Sequence, residues 1–139
     1  MLKGIPKIIP PDLLKVLCEM GHSDRICISD GNFPAASMGK NAIVIRMDGH
    51  GVPEVLDAIL TLFPLDTYTE KPALLMELME RDVGRIATPI WDEYAAIIAK
   101  HDERGRDQAL TCIVLADGHF FHRKLPQLLN CSVKSSAAL

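Results

Sequence analysis

Met20-Gly21-His22-Ser23-Asp24-Arg25-Ile26-Cys27-Ile28-Ser29-Asp30-Gly31-Asn32-Phe33-Pro34 is the stretch whose reading decides the fold. Upstream of it, Leu13, Leu14, Val16, Leu17 and Met20 mark one face of a helix. Pro10-Pro11 opens that helix, because proline is tolerated in a first turn. Gly21 reads as its left-handed cap. Ile26-Cys27-Ile28-Ser29 is a short strand, too apolar to be half exposed, which suits a covered parallel sheet. The stretch therefore offers an imidazole, His22, just after a helix, and a carboxylate, Asp30, just beyond a strand. Open α/β sheets hold ligands at that carboxyl end, and an imidazole both gives and takes a proton near neutral pH.

Working outward, positions 30–41 form a loop rich in Gly, Pro, Ser and Asn. Ala42-Ile43-Val44-Ile45-Arg46 is a second strand, and Asp48-Gly49-His50-Gly51 a turn. Val52, Val55, Leu56, Ile59, Leu60 and Phe63 trace a second helix, with Pro53 near its start and Pro64 at its end. Leu65-Asp66-Thr67-Tyr68 is a short strand or an extended edge. Ala73-Leu74-Leu75-Met76-Glu77-Leu78-Met79 is ambiguous by period, although its lack of β-branched residues favours helix. Thr88 and Pro89 start a third helix, capped by Thr88, with Ile90, Trp91, Tyr94, Ile97 and Ile98 as its buried face. Positions 101–108 read as a charged loop, positions 109–116 as a strand, 125–129 as an apolar patch and 132–139 as a frayed tail. Alternating helices and strands point to one α/β domain over 1–139, with a mostly parallel sheet covered on both faces as a three-layer α/β/α sandwich.

Composition narrows the function. The 139 residues are 48% apolar and 24% charged, with a formal net charge of −3. That is ordinary for a globular protein, and it favours neither nucleic acid nor an anionic membrane as partner. No apolar run approaches the length of a span, and the first residues do not read as a secretory signal. Cys18, Cys27, Cys112 and Cys131 form no Cys-x-x-Cys pair. Cys18 and Cys27 read as small core residues of a reduced, cytoplasmic protein.

Gly21-His22-Ser23-Asp24, the strand, and Ser29-Asp30-Gly31-Asn32-Phe33-Pro34-Ala35 resemble the opening of the fucose mutarotase family, relatives of the ribose pyranases. The resemblance continues, in order, through Arg46-Met47-Asp48-Gly49, Leu62-Phe63-Pro64-Leu65-Asp66-Thr67-Tyr68, Met76-Glu77-Leu78 and Thr88-Pro89-Ile90-Trp91-Asp92-Glu93-Tyr94. It implies the ribose pyranase/fucose mutarotase-like fold, with a strand over 73–79. It also implies an isomerase that interconverts the anomers of L-fucose or another monosaccharide without cofactor or metal. Its members assemble into ring-shaped homo-oligomers, decamers in known cases.

Mutarotation needs a proton delivered to the ring oxygen and one removed from the anomeric hydroxyl, which suits a group with a pKa near the working pH. By the resemblance His22 is the proton donor, while Asp30, Asp66 and Met76 contact the sugar. Each has a plainer reading. His22 sits where a positive charge favours a helix end, Asp30-Gly31 is a common turn, Asp66 a solvated turn residue and Met76 a core residue. His119 and His122 have a His-x-x-His spacing, but a metal needs three or four converging ligands, and solvated loop histidines are the better reading. Arg104-Gly105-Arg106 reads as a solvated turn, and Trp91 and Tyr94 as core or subunit-contact residues.

The last third, about 101–139, diverges. The family closes with a strand carrying Tyr-Gly-Asn, and this chain has no such tripeptide; its tyrosines are Tyr68 and Tyr94. Phe120-Phe121-His122-Arg123 is the nearest echo of the family's Phe-Tyr-Glu-Arg. An alternative splice or a shifted reading frame produces such an abrupt change. The expectation is then a missing closing strand, an open sheet edge and a weakened pocket. The rival function is an inactive isoform that only binds sugar or joins full-length subunits.

Overall fold

The computed structural model describes residues 2–22, 24–113 and 127–130. Helix α1 spans Pro11–Glu19, strand β1 Ile26–Ser29, α2 Ala35–Met38, β2 Ile43–Arg46 and α3 Val52–Leu62. Strand β3 covers Ala73–Met76, α4 Pro89–His101, α5 Gly105–Ala109, β4 Leu110–Ile113 and β5 Gln127–Asn130, with a single 3-10 turn at Glu80–Asp82.

Proline at the first helical position starts α1, α4 and, one residue in, α3. The missing N–H there has no partner in a helix anyway. Thr88 holds the N-cap position of α4, but its side chain makes no capping bond; proline's fixed φ initiates the helix instead. Helix α1 ends without a left-handed residue. Met20 turns extended (φ −66°, ψ 135°), and its N–H closes the last turn on the Val16 carbonyl. Gly21, read as a left-handed cap, is not among the glycines with positive φ. Gly49 is: at φ 88° it carries the turn that returns the His50 N–H to the Met47 carbonyl.

The described strands form two parallel groups, one ordered β1-β5-β2 and the other β3-β4, where the sequence reading expected one sheet. In the first, Cys27 and Val44 both stand opposite Leu128. This overturns the expected missing strand. The apolar patch read over 125–129 pairs on both sides as the centre of its sheet, so β1 and β2 share a neighbour and do not face each other as open edges. In the second, Ala73 pairs with Leu110 and Met76 with Ile113. The strand expected over 73–79 stops at Met76, and 65–68 joins no strand.

The main core collects Leu13, Val16 and Leu17 of α1, Ile45 and Met47 at β2, and Val55, Ala58 and Ile59 of α3. The i, i+3, i+4 spacing on α1 and α3 makes each stripe face the sheet. A second cluster joins Leu60, Ile98 and Ala109. On α4 the fully packed positions are Ala95 and Ile98, while Ile90 is exposed. The buried face is thus narrower than the aromatic-rich one read from sequence, since Trp91, Tyr94 and Ile97 are only partly buried. Asp57 ties α3 to the last turn of α4. Its carboxylate takes Lys100 Nζ at 2.8 Å and lies 2.6 Å from His101 Nε2. Cys27 is partly buried, but Cys18 is exposed on the outer side of α1, against the core reading. No described helix is long and apolar enough to cross a membrane.

Candidate active site

The connection from α1 to β1 is short and held by its own backbone. Asp24 accepts the Gly21 N–H on Oδ2 at 2.8 Å and returns its own N–H to the Gly21 carbonyl at 3.1 Å. This reciprocal pair fixes the turn that carries His22. The imidazole stands outward, 65% exposed, so nothing in the interior withdraws it from solvent.

Its neighbours come from the loop after α3. His22 Nδ1 lies 3.8 Å from Asp66 Oδ2, beyond hydrogen-bond reach but within ion-pair distance when the imidazole is protonated. The ring also meets Tyr68 edge-on, with centroids 5.5 Å apart and planes at 85°, a favourable geometry for two aromatic rings. Tyr68 is itself 89% exposed. Asp66 is far from a freely solvated turn residue. Its Oδ1 accepts the Tyr68 N–H and its Oδ2 the Thr69 hydroxyl, each at 2.8 Å, so the carboxylate folds its own loop. These bonds, the Tyr68 one foremost, hold its carboxyl below the usual carboxylate range, and the charges of His22 and Arg104 add to the effect.

Arg104 braces the loop from the far end of the chain. Its Nη2 donates to the Asp66 carbonyl and its Nη1 to the Thr69 carbonyl, each at 3.0 Å. Asp102 holds the guanidinium in turn, through Nε at 3.0 Å and Nη2 at 2.8 Å. Those bonds hold the Asp102 carboxyl low. The sequence reading of Arg104-Gly105-Arg106 as a solvated turn is therefore corrected. Arg104 leads into α5, and Arg106 reaches back to Asp92 at 2.9 Å.

Asp30 stands at the end of β1, and its Oδ1 accepts the N–H groups of Asn32 and Phe33 at 2.9 and 3.1 Å. That is the turn its plainer reading anticipated; no bond to its Oδ2 is made among the described residues. Met76 closes β3 and is 65% exposed, which rules out its reading as a core methionine. His22 and Asp66 are thus brought together directly, while Asp30 and Met76 sit at the ends of two other strands. Sequence reasoning missed Tyr68, Thr69 and Arg104 as parts of the His22 surroundings. The signal for the first two was present, since Asp-x-Tyr-Thr fits a side chain bonding to the backbone two residues on. Arg104 is distant in sequence and carried none. Asn130, which ends β5, stands in register with Ser29 and Arg46, at the carboxyl edge where Asp30 begins.

Among the described residues no three His, Cys, Asp or Glu side chains converge as a metal site; His119 and His122 lie outside those residues. His22 and the Asp66 carboxylate stand side by side on two loops, an arrangement with the polarity to exchange protons with a polyol.

Residues 3–114 match the model of the RbsD / FucU transport protein family. Human fucose mutarotase is 48% identical over 101 residues, which make up 71% of this chain and 66% of that protein. L-fucose mutarotase of Haemophilus influenzae is 49% identical over 82 residues, 59% of this chain and 56% of that protein. The chain thus spans about two thirds of the length of the animal relatives it matches, and less of the bacterial one. Among solved structures, FucU from Bifidobacterium longum superposes with a TM-score of 0.83 at 57% identity, covering 97% of this chain and 91% of that one. The fucose mutarotase of Streptococcus pneumoniae, solved in complex with L-fucose, gives 0.79 at 36% identity, covering 96% and 90%. On its sequence and its fold together, the chain belongs to the fucose mutarotase family.

Proposed function

We propose that the chain is an isomerase that interconverts the α and β anomers of L-fucose. The observation that carries this reading is the exposed imidazole of His22, placed 3.8 Å from a carboxylate on a braced loop, in a chain akin to a fucose mutarotase solved with its sugar. In the proposed reaction His22 donates a proton to the pyranose ring oxygen as a base removes the proton of the anomeric hydroxyl. The bond from C1 to the ring oxygen then breaks and leaves an open-chain aldehyde. Rotation about the C1–C2 bond presents the other face of the aldehyde, the ring hydroxyl attacks it, and both protons return. Electrons and atoms balance without a metal or redox partner, and the acid–base step alone is worth a rate gain on the order of 10²–10⁴.

Asp30, with one carboxylate oxygen turned to its own backbone, offers the other to sugar hydroxyls. Asp66 binds a hydroxyl and lies next to the acid. Met76 lends an apolar surface to the fucose methyl and ring. The site belongs to a single three-layer domain that assembles into a ring-shaped homo-oligomer, a decamer by family resemblance, in the cytoplasm. Support for assembly comes from the apolar side chains Leu74, Met76, Met79, Val83, Ile86 and Ile90, all exposed in the single chain. The test is saturation-transfer NMR on L-fucose with the purified chain. Transfer between the anomeric proton signals above the buffer rate is expected, and a rate equal to buffer refutes the reading.

A further inference from the structure

From this geometry we infer that Arg104 is a positioning residue for the Asp66 carboxylate and, through it, for His22. The inference rests on the mutarotase reading above and adds a residue to it. The 66–69 loop has two kinds of tether. The inner one is the Asp66 carboxylate, which binds the Tyr68 N–H and the Thr69 hydroxyl. The outer one is Arg104, which spans the first and last carbonyls of the same four residues. The planar guanidinium makes all four of its bonds, to the two carbonyls and to Asp102, from three nitrogens at once, whereas an ammonium has only three donors on one atom. Asp102 completes the brace. Its side chain is 12% exposed and that of Arg104 24%, so the pair is more sheltered than the loop it holds. The junction of α4 and α5 thereby sets where Oδ2 of Asp66 stands relative to His22 Nδ1. An acid group displaced by about 1 Å loses on the order of 10²-fold in rate, so a brace of this kind bears on turnover without touching the sugar.

The experiment is a double-mutant cycle on anomer exchange, paired with amide hydrogen exchange. Arg104→Gln is expected to lower the exchange rate about ten- to a hundredfold, and Arg104→Lys to recover only part of it. In the Asp66→Asn background, Arg104→Gln is expected to change the rate less than about twofold, because the group it positions is already disabled. An equal loss in both backgrounds overturns the inference, since it marks a general structural effect. Independently of catalysis, Arg104→Gln is expected to speed exchange of the Tyr68 amide at least about tenfold while the Leu13 and Val55 amides keep their rates. An unchanged Tyr68 amide overturns the inference whatever the activity. If the parent chain does not exchange anomers, the mutarotase reading fails, and the Tyr68 amide still decides whether Arg104 holds the loop.

Discussion

Replacing His22 by alanine separates chemistry from folding, and the structure sets the size of each effect. The side chain is 65% exposed, lies beyond hydrogen-bond reach of Asp66 and meets Tyr68 in a T-shaped ring contact. Exposed substitutions of this kind change stability by about 0.5 kcal/mol or less. For a chain of this length the entropy of unfolding at the midpoint is roughly 0.3 kcal/mol/K, so Tm moves by about 2 °C at most. Catalysis loses its acid, and the exchange rate of L-fucose anomers falls by about 10²–10⁴. The assay is saturation-transfer NMR beside a thermal melt of the same sample. His22→Gln follows His22→Ala, since an amide keeps the polarity but transfers no proton. An unchanged rate refutes the assignment of His22. A lost rate accompanied by a Tm drop of about 10 °C refutes the separation of site and core.

Leu13 is fully buried between α1 and the sheet, so Leu13→Ala is expected to cost about 2–5 kcal/mol, read as a lower urea midpoint with unchanged slope. Gly21→Ala is expected to be neutral or stabilising by up to about 1 kcal/mol, because an added Cβ meets only Asp24 Oδ2, at 3.9 Å. A loss above about 1 kcal/mol in the same titration would show a left-handed Gly21 after all. The carboxyls of Asp57, Asp66 and Asp102 are all held low, each mainly by hydrogen bonds. Their stabilisation is therefore complete above the unfolded carboxylate value of about 4 and disappears as pH falls through the folded values. Asp57→Asn should flatten part of that acid limb in denaturation curves taken between pH 6 and pH 2. Burial pushes the Cys27 thiol up to about 11. Iodoacetamide at pH 8 should then label Cys18 well before Cys27 in a peptide map, and equal labelling would contradict that burial.

Much of the first hundred residues was legible because local chemistry and burial agree there. The apolar spacing of Leu13, Val16 and Leu17, the proline starts and the Ile-Cys-Ile run each dictate one element and one face. What failed was either short or long-range. The four-residue α2 is too brief to show a period. Of the α4 stripe read from sequence, Ile98 is buried, but the other buried position is the small Ala95, which was not read as part of it. Strand β5 was legible only as an apolar patch, since its place between β1 and β2 depends on partners far upstream. The same holds at the site. For the proposed site the resemblance suggested His22, Asp30, Asp66 and Met76, but only the folded chain sets Asp66 beside His22 and Arg104 behind it.

The seating of β5 has a consequence for biosynthesis. On the ribosome β1 and β2 emerge early, yet the segment that bridges them follows about a hundred residues after β1. Until then the nascent chain carries two unsatisfied strand templates, open to the wrong neighbour. Synthesis that stops short of Gln127 would leave the seam open for good, so chaperone demand should rise steeply for such truncated products and fall once Asn130 clears the exit tunnel.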